Sequence, residues 1–577
     1  MGLELGFYAV IAVAVIVAVA AFSKKLGVAA PIILVVVGVG LSYLPGVPDI
    51  EVPHEIILDG LLPPILYAAA ISVPITDFRR NLGPIASLSV VLVIVTAFAT
   101  GILLFELLPD LNLAAAIALG AIISPPDAVA ATSIGRRLGL PPRLLTVLEG
   151  EGLLNDATAL VLLRSAVAAA TVGLASPWAG VLDFAYAVVV AVAVGLVAGY
   201  VTVFVRSKLN DPVLDTALSL AVPFVAFMPA EALHASGVLA VVIAGLYTGH
   251  AAPTKFTAQS RMSDRINWRT IQFLLENGVF LLIGLEIRTL VGDVDPTILS
   301  AGEAFGIGLL ATLALIVIRY LWMGPLVWVL GRREERDEKS TYHALLALYY
   351  YRSHTVATKR QAKLRNRLER DYERRRADLE QRRMERIDWR GGIVLGWAGM
   401  RGVVTLAAAQ SLPEDTAYRP QLVLIAFTVA VASIVVQGGT LPWVIRLLKI
   451  QGVDAREDSK ELAALLDDIS NAGLQALDEI ESDAATTTPI DPDVIERVRQ
   501  SSFLRTEAAW ERARALRAGA RPHQRYRELR LAVVNAERDR LLELRSQGTY
   551  PSRVLSEAQS LLDLEETRLA RQTGGEH

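Results

Sequence analysis

The sequence predicts an all-α polytopic membrane protein with about 13 transmembrane helices and a helical cytoplasmic tail. Of its 577 residues, 53% are apolar and only 20% are charged, whereas soluble proteins carry about 25% charged residues. Residues 1–330 hold only 16 Lys and Arg and 22 Asp and Glu, and the remaining charges follow residue 330. This pattern excludes a purely soluble globular protein and a nucleic-acid binder driven by net charge. The absence of cysteine excludes a disulfide-stapled scaffold and thiol catalysis.

The apolar stretches predict the individual helices, because a helix that crosses the hydrocarbon core needs about 20 apolar residues. The thirteen predicted spans are 5–22, 28–44, 55–73, 84–108, 112–134, 143–173, 178–205, 213–231, 236–251, 268–290, 300–330, 391–411 and 419–447. Lys24 and Lys25 follow the first apolar run, whereas a cleavable signal peptide carries its positive charges before that run. We therefore interpret the first run as a span.

The positive residues predict the orientation of these spans. If the N-terminus lies outside, 13 of the 16 Lys and Arg in residues 1–330 fall in cytoplasmic loops. One helix more or fewer would destroy this alternation. The sequence therefore predicts a multi-pass protein of the cell membrane, with the N-terminus outside and the C-terminal tail in the cytoplasm.

Two charged regions complete the predicted domain organisation. Residues 1–450 form the transmembrane domain, which includes a basic cytoplasmic insertion at 331–390, and residues 456–577 form a helical C-terminal region. A basic stretch beside a membrane indicates anionic lipid or simple solvation. Apolar residues recur at helical spacing in the tail and favour contacts within a bundle or a dimer. No cofactor motif is present, and no nucleic-acid partner is expected.

The fifth span contains a break in the helix beside a carboxylate, in the segment AIISPPDAVAATS. Pro125 and Pro126 lack amide hydrogens, so the carbonyls of Ala121 and Ile122 are predicted to lose their helical partners. Unpaired backbone at membrane depth is tolerated where it lines a cavity or is buried in protein. Together with Asp127 these carbonyls would form an oxygen-rich pocket for a small cation. A plain proline kink with Asp127 near the inner interface accounts for the residues equally well.

The sixth span carries four polar residues in the segment LEGEGLLNDATALVLLRSA: Glu149, Glu151, Asn155 and Asp156. At about 1.5 Å per residue, Asp156 lies roughly 20 Å from the start of the helix, near the middle of the bilayer. Charged side chains at that depth are costly and indicate function. Gly152, one turn before Asp156, leaves open space beside this carboxylate. A structural ion pair explains Glu151 well and Asp156 poorly, since no basic residue lies one turn from Asp156.

A buried glutamate needs a cation, and Arg401 in the segment GWAGMRGVVTLAAAQ is the predicted partner of Glu151. The glycines around Arg401 would let another helix approach closely. Arg319 is a second candidate, although a position near the interface would explain it equally well. For Glu276 we favour an interhelical hydrogen bond over a role in transport.

These segments resemble the monovalent cation:proton antiporter family, which contains bacterial sodium/proton antiporters and animal sodium/proton exchangers. The resemblance rests on five segments, which are LPPIL at 62–66, SPPDAVAA at 124–131, LEGEGLLNDATALV at 148–161, WAGMRGVVTL at 397–406 and VQGGTLP at 436–442. It extends over roughly residues 5–450, and the segment with Glu151 and Asp156 is its most specific part.

The resemblance implies a homodimer whose protomers have inverted repeats and broken helices that cross at the ion site. It makes Asp156 the main carboxylate for the cation and the proton, with Asn155 beside it and Asp127 at the crossing, and it makes Glu151 and Arg401 a stabilising ion pair. The implied function is exchange of Na⁺, or Li⁺ or K⁺, for H⁺. Three departures concern the ligands: the family often has Thr-Asp-Pro at 126–128, Ser at 152 and an acid at 68, where this chain has Pro-Asp-Ala, Gly and Ala.

Two other classes of protein are compatible with intramembrane carboxylates. An intramembrane aspartyl protease would use Asp127 and Asp156 as a dyad that shares one proton. Such a dyad normally has a Gly-x-Gly-Asp context, whereas Asp156 follows Leu-Leu-Asn. A passive cation channel would conduct without proton coupling.

Overall fold

The computed structural model describes residues 2–26, 28–45, 52–172, 177–209, 211–353, 386–450, 455–487, 491–501 and 522–547, with isolated positions elsewhere after residue 363. These residues are mostly helical, and no strand occurs among them. The chain divides into two compact units, Met1–Ile450 and Gln451–His577. Most of the basic insertion between residues 354 and 385, including its predicted contact with lipid, lies outside the described residues.

The first unit contains eighteen α-helices among its described residues. They are α1 (Gly2–Leu26), α2 (Ala30–Ser42), α3 (Leu62–Ser72), α4 (Ile75–Arg80), α5 (Leu82–Ala86), α6 (Val93–Leu107), α7 (Leu113–Ile123), α8 (Ala128–Arg137), α9 (Pro142–Val172), α10 (Pro177–Arg206), α11 (Pro212–Ala232), α12 (Gly237–Lys255), α13 (Ala258–Gly292), α14 (Ala301–Ser353), α15 (Trp389–Trp397), α16 (Val403–Gln410), α17 (Arg419–Ser433) and α18 (Gly439–Leu448). Three π-helical segments, Ile56–Leu61, Ser87–Leu92 and Ile434–Gly438, lead into α3, α6 and α18.

Ten helical stretches of the described chain are long and apolar enough to cross a membrane. The predicted spans 28–44 and 55–73 correspond to two shorter apolar helices, Ala30–Ser42 and Ile56–Ser72. The predicted span 391–411 is divided between α15 and α16. The polytopic all-α class is therefore confirmed, and the number of thirteen spans stays a prediction.

Close packing between helices depends on glycines at backbone contacts. A Cβ on Gly38 of α2 would lie 2.6 Å from the carbonyl oxygen of Leu281 in α13, and one on Gly101 of α6 would lie 2.8 Å from the Cα of Ile117 in α7. Small residues let helix backbones approach in this way where lipid provides no hydrophobic driving force. These contacts build the apolar core around the two broken helices.

Helix α14 is longer than the span that the sequence predicts. It continues past residue 330 as one helix to Ser353, and the Arg332 guanidinium lies 3.8 Å from the centre of the Trp328 ring. The start of the basic insertion is therefore a continuation of this membrane helix.

The second unit contains α19 (Ala455–Thr487) and α20 (Pro522–Gln547). Ion pairs join α20 to the end of the chain, with Arg530 bound to Glu565 at 2.5 Å and Arg538 bound to Asp563 at 3.0 Å. Leu462, Leu465 and Ile469 of α19 are exposed. Their predicted role in bundle or dimer contacts stays a prediction.

Candidate ion-binding site

Two broken helices meet in the centre of the first unit. The break between α7 and α8 covers residues 124–127, and the break between α15 and α16 covers residues 398–402. The amide of Asp127 donates to the carbonyl oxygen of Met400 at 2.5 Å, and Arg401 Nε donates to the carbonyl oxygen of Ile123 at 3.1 Å. The two broken helices thus supply hydrogen-bond partners for backbone groups of each other.

Asp127 caps the second half of the first broken helix. Its carboxylate accepts a hydrogen bond from the amide of Val129 at 2.7 Å, and α8 starts at the next residue. Gly402 packs directly against this side chain, since a Cβ on Gly402 would overlap the carboxylate and lie 2.5 Å from the Asp127 Cβ. Asp127 therefore lies where the two breaks meet.

The carbonyls around the break have different hydrogen-bond partners. The Ala121 carbonyl accepts bonds from the amide and the hydroxyl of Ser124, at 3.4 and 3.0 Å, because Ser124 closes the end of α7. Ile122 is buried in the apolar core. The carbonyls that accept bonds from other segments are those of Ile123 and Pro126, one to five residues later.

Helix α9 also contacts the break between α7 and α8. The Asn155 amide is fully buried and donates to the carbonyl of Pro126, while its oxygen accepts from the Asp156 amide at 2.7 Å. Gly152 lets α9 approach α8, because a Cβ there would lie 2.7 Å from the Cβ of Ala128. Asn155 thus contacts the backbone of the break, and the space that Gly152 leaves is filled by Ala128 of α8.

Asp127 and Asp156 both line one cavity of about 910 Å³. Pro125, Pro126 and Gly152 also belong to its wall, and so does Glu276 from α13. The cavity extends from these carboxylates to exposed arginines at one end of the helices, among them Arg136 and Arg265. The same cavity therefore borders both aspartates and these arginines.

The other two glutamates that were secondary candidates have local partners. Glu276 accepts a hydrogen bond from Gln272 on its own helix at 2.7 Å, where we expected a bond between helices. Glu149 pairs with Arg136 at 2.5 Å on the cavity wall.

The partner of Glu151 is Arg319, and the predicted pairing with Arg401 is wrong. Arg319 of α14 binds both carboxylate oxygens of Glu151, at 2.5 and 2.8 Å, and its Nε donates to the Leu395 carbonyl at 3.0 Å. Gly399 accommodates the Arg319 side chain, because a Cβ there would lie 2.6 Å from the Arg319 Cδ. Arg401 instead binds carbonyls of the two breaks, those of Ile123 and Gly399.

Sequence reasoning missed a second buried charge cluster, because it counted Arg206 as a residue of a cytoplasmic loop. The Arg206 cluster consists of Arg206, Asp215, Ser219, Asp264 and Trp268, and its arginine is only 2% exposed. Asp215, an acid inside the predicted span 213–231, is the signal that could have revealed it.

Comparison with known proteins agrees with this geometry. The family model described as "Sodium/hydrogen exchanger, transmembrane" matches residues 11–447. An uncharacterized Na⁺/H⁺ exchanger of Mycobacterium tuberculosis (strain ATCC 25618 / H37Rv) is 30% identical over 590 residues, covering 98% of this chain and 97% of that protein. A sodium, potassium, lithium and rubidium/H⁺ antiporter of Bacillus pumilus is 28% identical over 69% of this chain and 54% of its own length.

A solved structure has the same fold. The sodium proton antiporter MjNhaP1 from Methanocaldococcus jannaschii at pH 8 superposes with a TM-score of 0.56 at 16% identity, over 78% of this chain and all of that one. The matched proteins are transporters, so the protease alternative is wrong. The chain is a multi-pass membrane protein, and it belongs to the sodium/hydrogen exchanger family.

Proposed function

We propose that this protein is a secondary active antiporter that exchanges Na⁺, or Li⁺ or K⁺, for H⁺ across the cell membrane. The observation that carries the proposal is the arrangement of Asp127 and Asp156 on one cavity wall, beside a break that α9 holds through Asn155. Carboxylate and carbonyl oxygens are the ligands that hard cations prefer. No resident cofactor takes part; the cation and the proton are the transported substrates.

Exchange follows from competition at Asp156. A carboxylate that has taken up a proton has lost the charge that binds a cation, and a bound cation disfavours protonation. Asp127 supplies a second oxygen ligand from the break, while Asn155 fixes the distance between α9 and the break. Movement of the occupied site between the two sides of the membrane then exchanges one substrate for the other.

The position of the cavity suits one half of this cycle. The arginines at this end, among them Arg136 at the end of α8 and Arg265 near the start of α13, lie in sequence segments that the positive-inside rule assigns to the cytoplasm. With that orientation the cavity connects Asp156 to the cytoplasm. We propose a homodimer with the N-terminus outside as the functional unit.

Vesicles that hold a pH gradient and a proton-sensitive dye test the proposal. Adding Na⁺, Li⁺ or K⁺ to purified protein in such vesicles should move protons, and the half-saturating cation concentration should rise as the pH falls. Cation flux that proceeds without proton movement would support the channel alternative and overturn the proposal. Vesicles without protein provide the baseline.

A further inference from the structure

We propose that the ion pair between Arg164 of α9 and Glu231 of α11 is a latch, which holds the protein in the conformation of this structure and opens when the ion site changes sides. In this conformation the cavity joins Asp156 to the end of the helices where Arg136 and Arg265 lie. The role of the latch in transport rests on the proposed function, because alternating access requires a second conformation. Opening of the latch can be measured without transport.

The latch binds α9 to the turn between α11 and α12. Arg164 donates to one carboxylate oxygen of Glu231 at 2.7 Å and to the carbonyl oxygen of Ala235 at 3.5 Å. The other carboxylate oxygen of Glu231 accepts a bond from the amide of Gly237 at 3.0 Å. The Arg164 and Glu231 side chains are 53% and 27% exposed. Ion pairs with this exposure stabilise a structure only modestly, which suits a contact that opens in every cycle.

The latch joins two separate apolar clusters, and α9 contributes residues to both of them. The first cluster contains residues of both broken helices and, on α9, Leu163 next to Arg164. The second contains residues of α3, α10, α11 and α12, among them Ala230 next to Glu231. Leu160, one turn before Arg164, packs against both clusters. Movement of the ion site relative to the second cluster would therefore strain or break the latch.

The latch lies on the other side of Asp156 from the arginines of the cavity. Along α9 the cavity wall includes Glu149 and Asp156, and it includes no described residue of this helix after Asp156. Arg164 follows Asp156 by eight residues, or about 12 Å along the helix axis. On α12 the wall includes residues from Thr248 onward, whereas Gly237 at the start of that helix contacts the latch. An opening of the site toward the opposite end would therefore separate α9 from α11 at the latch.

A further carboxylate lies near the latch. Asp59 is an exposed residue of the π-helical segment Ile56–Leu61, and it interacts electrostatically with both Arg164 and Glu231. Arg164 therefore keeps an opposite charge nearby when its bond to Glu231 breaks. This second carboxylate lowers the cost of opening.

The absence of cysteine from the sequence allows a single thiol to report opening. Leu160→Cys places the thiol at a half-buried position that is not part of the cavity wall. In detergent without a transported cation, a charged methanethiosulfonate reagent should modify this thiol slowly. Adding Glu231→Gln removes the charge but keeps the size of the side chain, so the rate should rise by up to about five-fold. Arg499→Gln, which breaks an exposed ion pair in the second unit, is the matched control and should not change the rate.

Charge reversal distinguishes the latch from a general loosening of the fold. Arg164→Glu or Glu231→Arg alone should raise the rate of modification. The two reversals together restore opposite charges, so the rate should return toward that of the Leu160→Cys protein. Choline chloride should accelerate modification while Glu231 is present and have little effect after Glu231→Gln, because salt screens exposed ion pairs. Size-exclusion chromatography verifies the folding of each variant.

The latch and the proposed function fail in different ways. If the rates follow this pattern but wild-type vesicles show no exchange, the latch between two conformations stands and the proposed function fails. If vesicles show exchange but Glu231→Gln leaves the rate unchanged, or if the double reversal does not lower the rate below that of the single reversals, the latch is overturned and the proposed function stands.

Discussion

Glu149 and Glu151 of α9 form ion pairs with arginines, whereas Asp156 lines the cavity in the part of α9 that holds the break through Asn155. Asp156→Asn keeps the size and polarity of the side chain but cannot exchange a proton, so we expect Na⁺-driven proton movement to disappear. Dye-reported exchange in vesicles measures this, with size-exclusion chromatography to verify folding. Asp183→Asn, at an exposed position of α10, should exchange like wild type. Substantial exchange by a folded Asp156→Asn protein would refute competition at this residue.

The ion pair between Glu151 and Arg319 is almost fully buried, with side chains 2% and 3% exposed. Arg319→Ala leaves Glu151 charged and unpaired in the apolar core, so unfolding should become easier by about 3–5 kcal/mol. Adding Glu151→Gln removes the stranded charge and should recover part of the lost melting temperature. Arg401→Ala is the matched comparison, since its side chain binds carbonyls. Equal rescue of both arginine variants by Glu151→Gln would contradict the assignment.

The sequence analysis selected two aspartates that line one cavity but chose the wrong arginine for Glu151, and the reason is geometric. Arg319 and Arg401 both belong to predicted spans, and spacing along a chain does not determine how a helix is rotated toward its neighbours. The glycines near Arg401 were the signal that could have identified Arg319 as the neighbour of this segment. Gly396 and Gly399 make room for Tyr320 and Arg319 of α14, whereas we had attributed them to backbone approach alone.

At the scale of elements, the crossing of the two broken helices depends on Gly402. Gly402→Ala would push the new Cβ into the Asp127 carboxylate, so we expect a weaker apparent affinity for Na⁺ or complete loss of exchange. Gly439→Ala, at a glycine that has no neighbouring atom within 4 Å, is the matched control. Half-saturating Na⁺ concentrations from the vesicle assay measure both. A Gly402→Ala protein with wild-type affinity would show that the contact does not position Asp127.

Helix breaks were predictable where residues lack the means to continue a helix, as at Pro125 and Pro126. The hydrogen-bond partners of the carbonyls at a break were not predictable, because they include local caps such as the Ser124 hydroxyl and side chains from distant segments such as Asn155. The continuation of α14 past residue 330 could not be predicted either, because a change from apolar to basic composition marks a change of environment and not the end of a helix.

At the scale of the whole molecule, we expect exchange of one cation for one proton without net charge movement. Asn155 cannot titrate, and Glu151 is held by Arg319. If Asp127 stays ionised throughout the cycle, Asp156 is the one carboxylate that changes its occupant. Net charge movement would couple exchange to voltage at about 2.3 kcal/mol per 100 mV. A potential imposed with K⁺ and valinomycin should therefore leave the equilibrium Na⁺ gradient unchanged. A voltage-dependent reversal would require a second titrating group, for which Glu276 is the first candidate.

The stacked pair of Trp328 and Arg332 indicates how deep the residues of α14 lie in the bilayer. Exposed tryptophans and arginines favour the boundary between lipid tails and headgroups. Nine residues separate Trp328 from Arg319, which places the ion pair with Glu151 about 13 Å below that boundary, near the middle of a hydrocarbon layer of about 30 Å. Pro325 lies between them and can bend the helix. If the ion pair moves along the bilayer normal during transport, α14 must therefore bend or the surrounding lipid must deform.

Membrane thickness should for this reason control the turnover rate. Vesicles made from lipids with shorter or longer acyl chains than the optimum should slow exchange, because mismatch costs a fraction of a kcal/mol per ångström. Trp328→Ala should flatten that dependence, and Trp443→Ala, at another exposed tryptophan, should not. Equal rates at every chain length would mean that the site changes sides without any displacement along the bilayer normal.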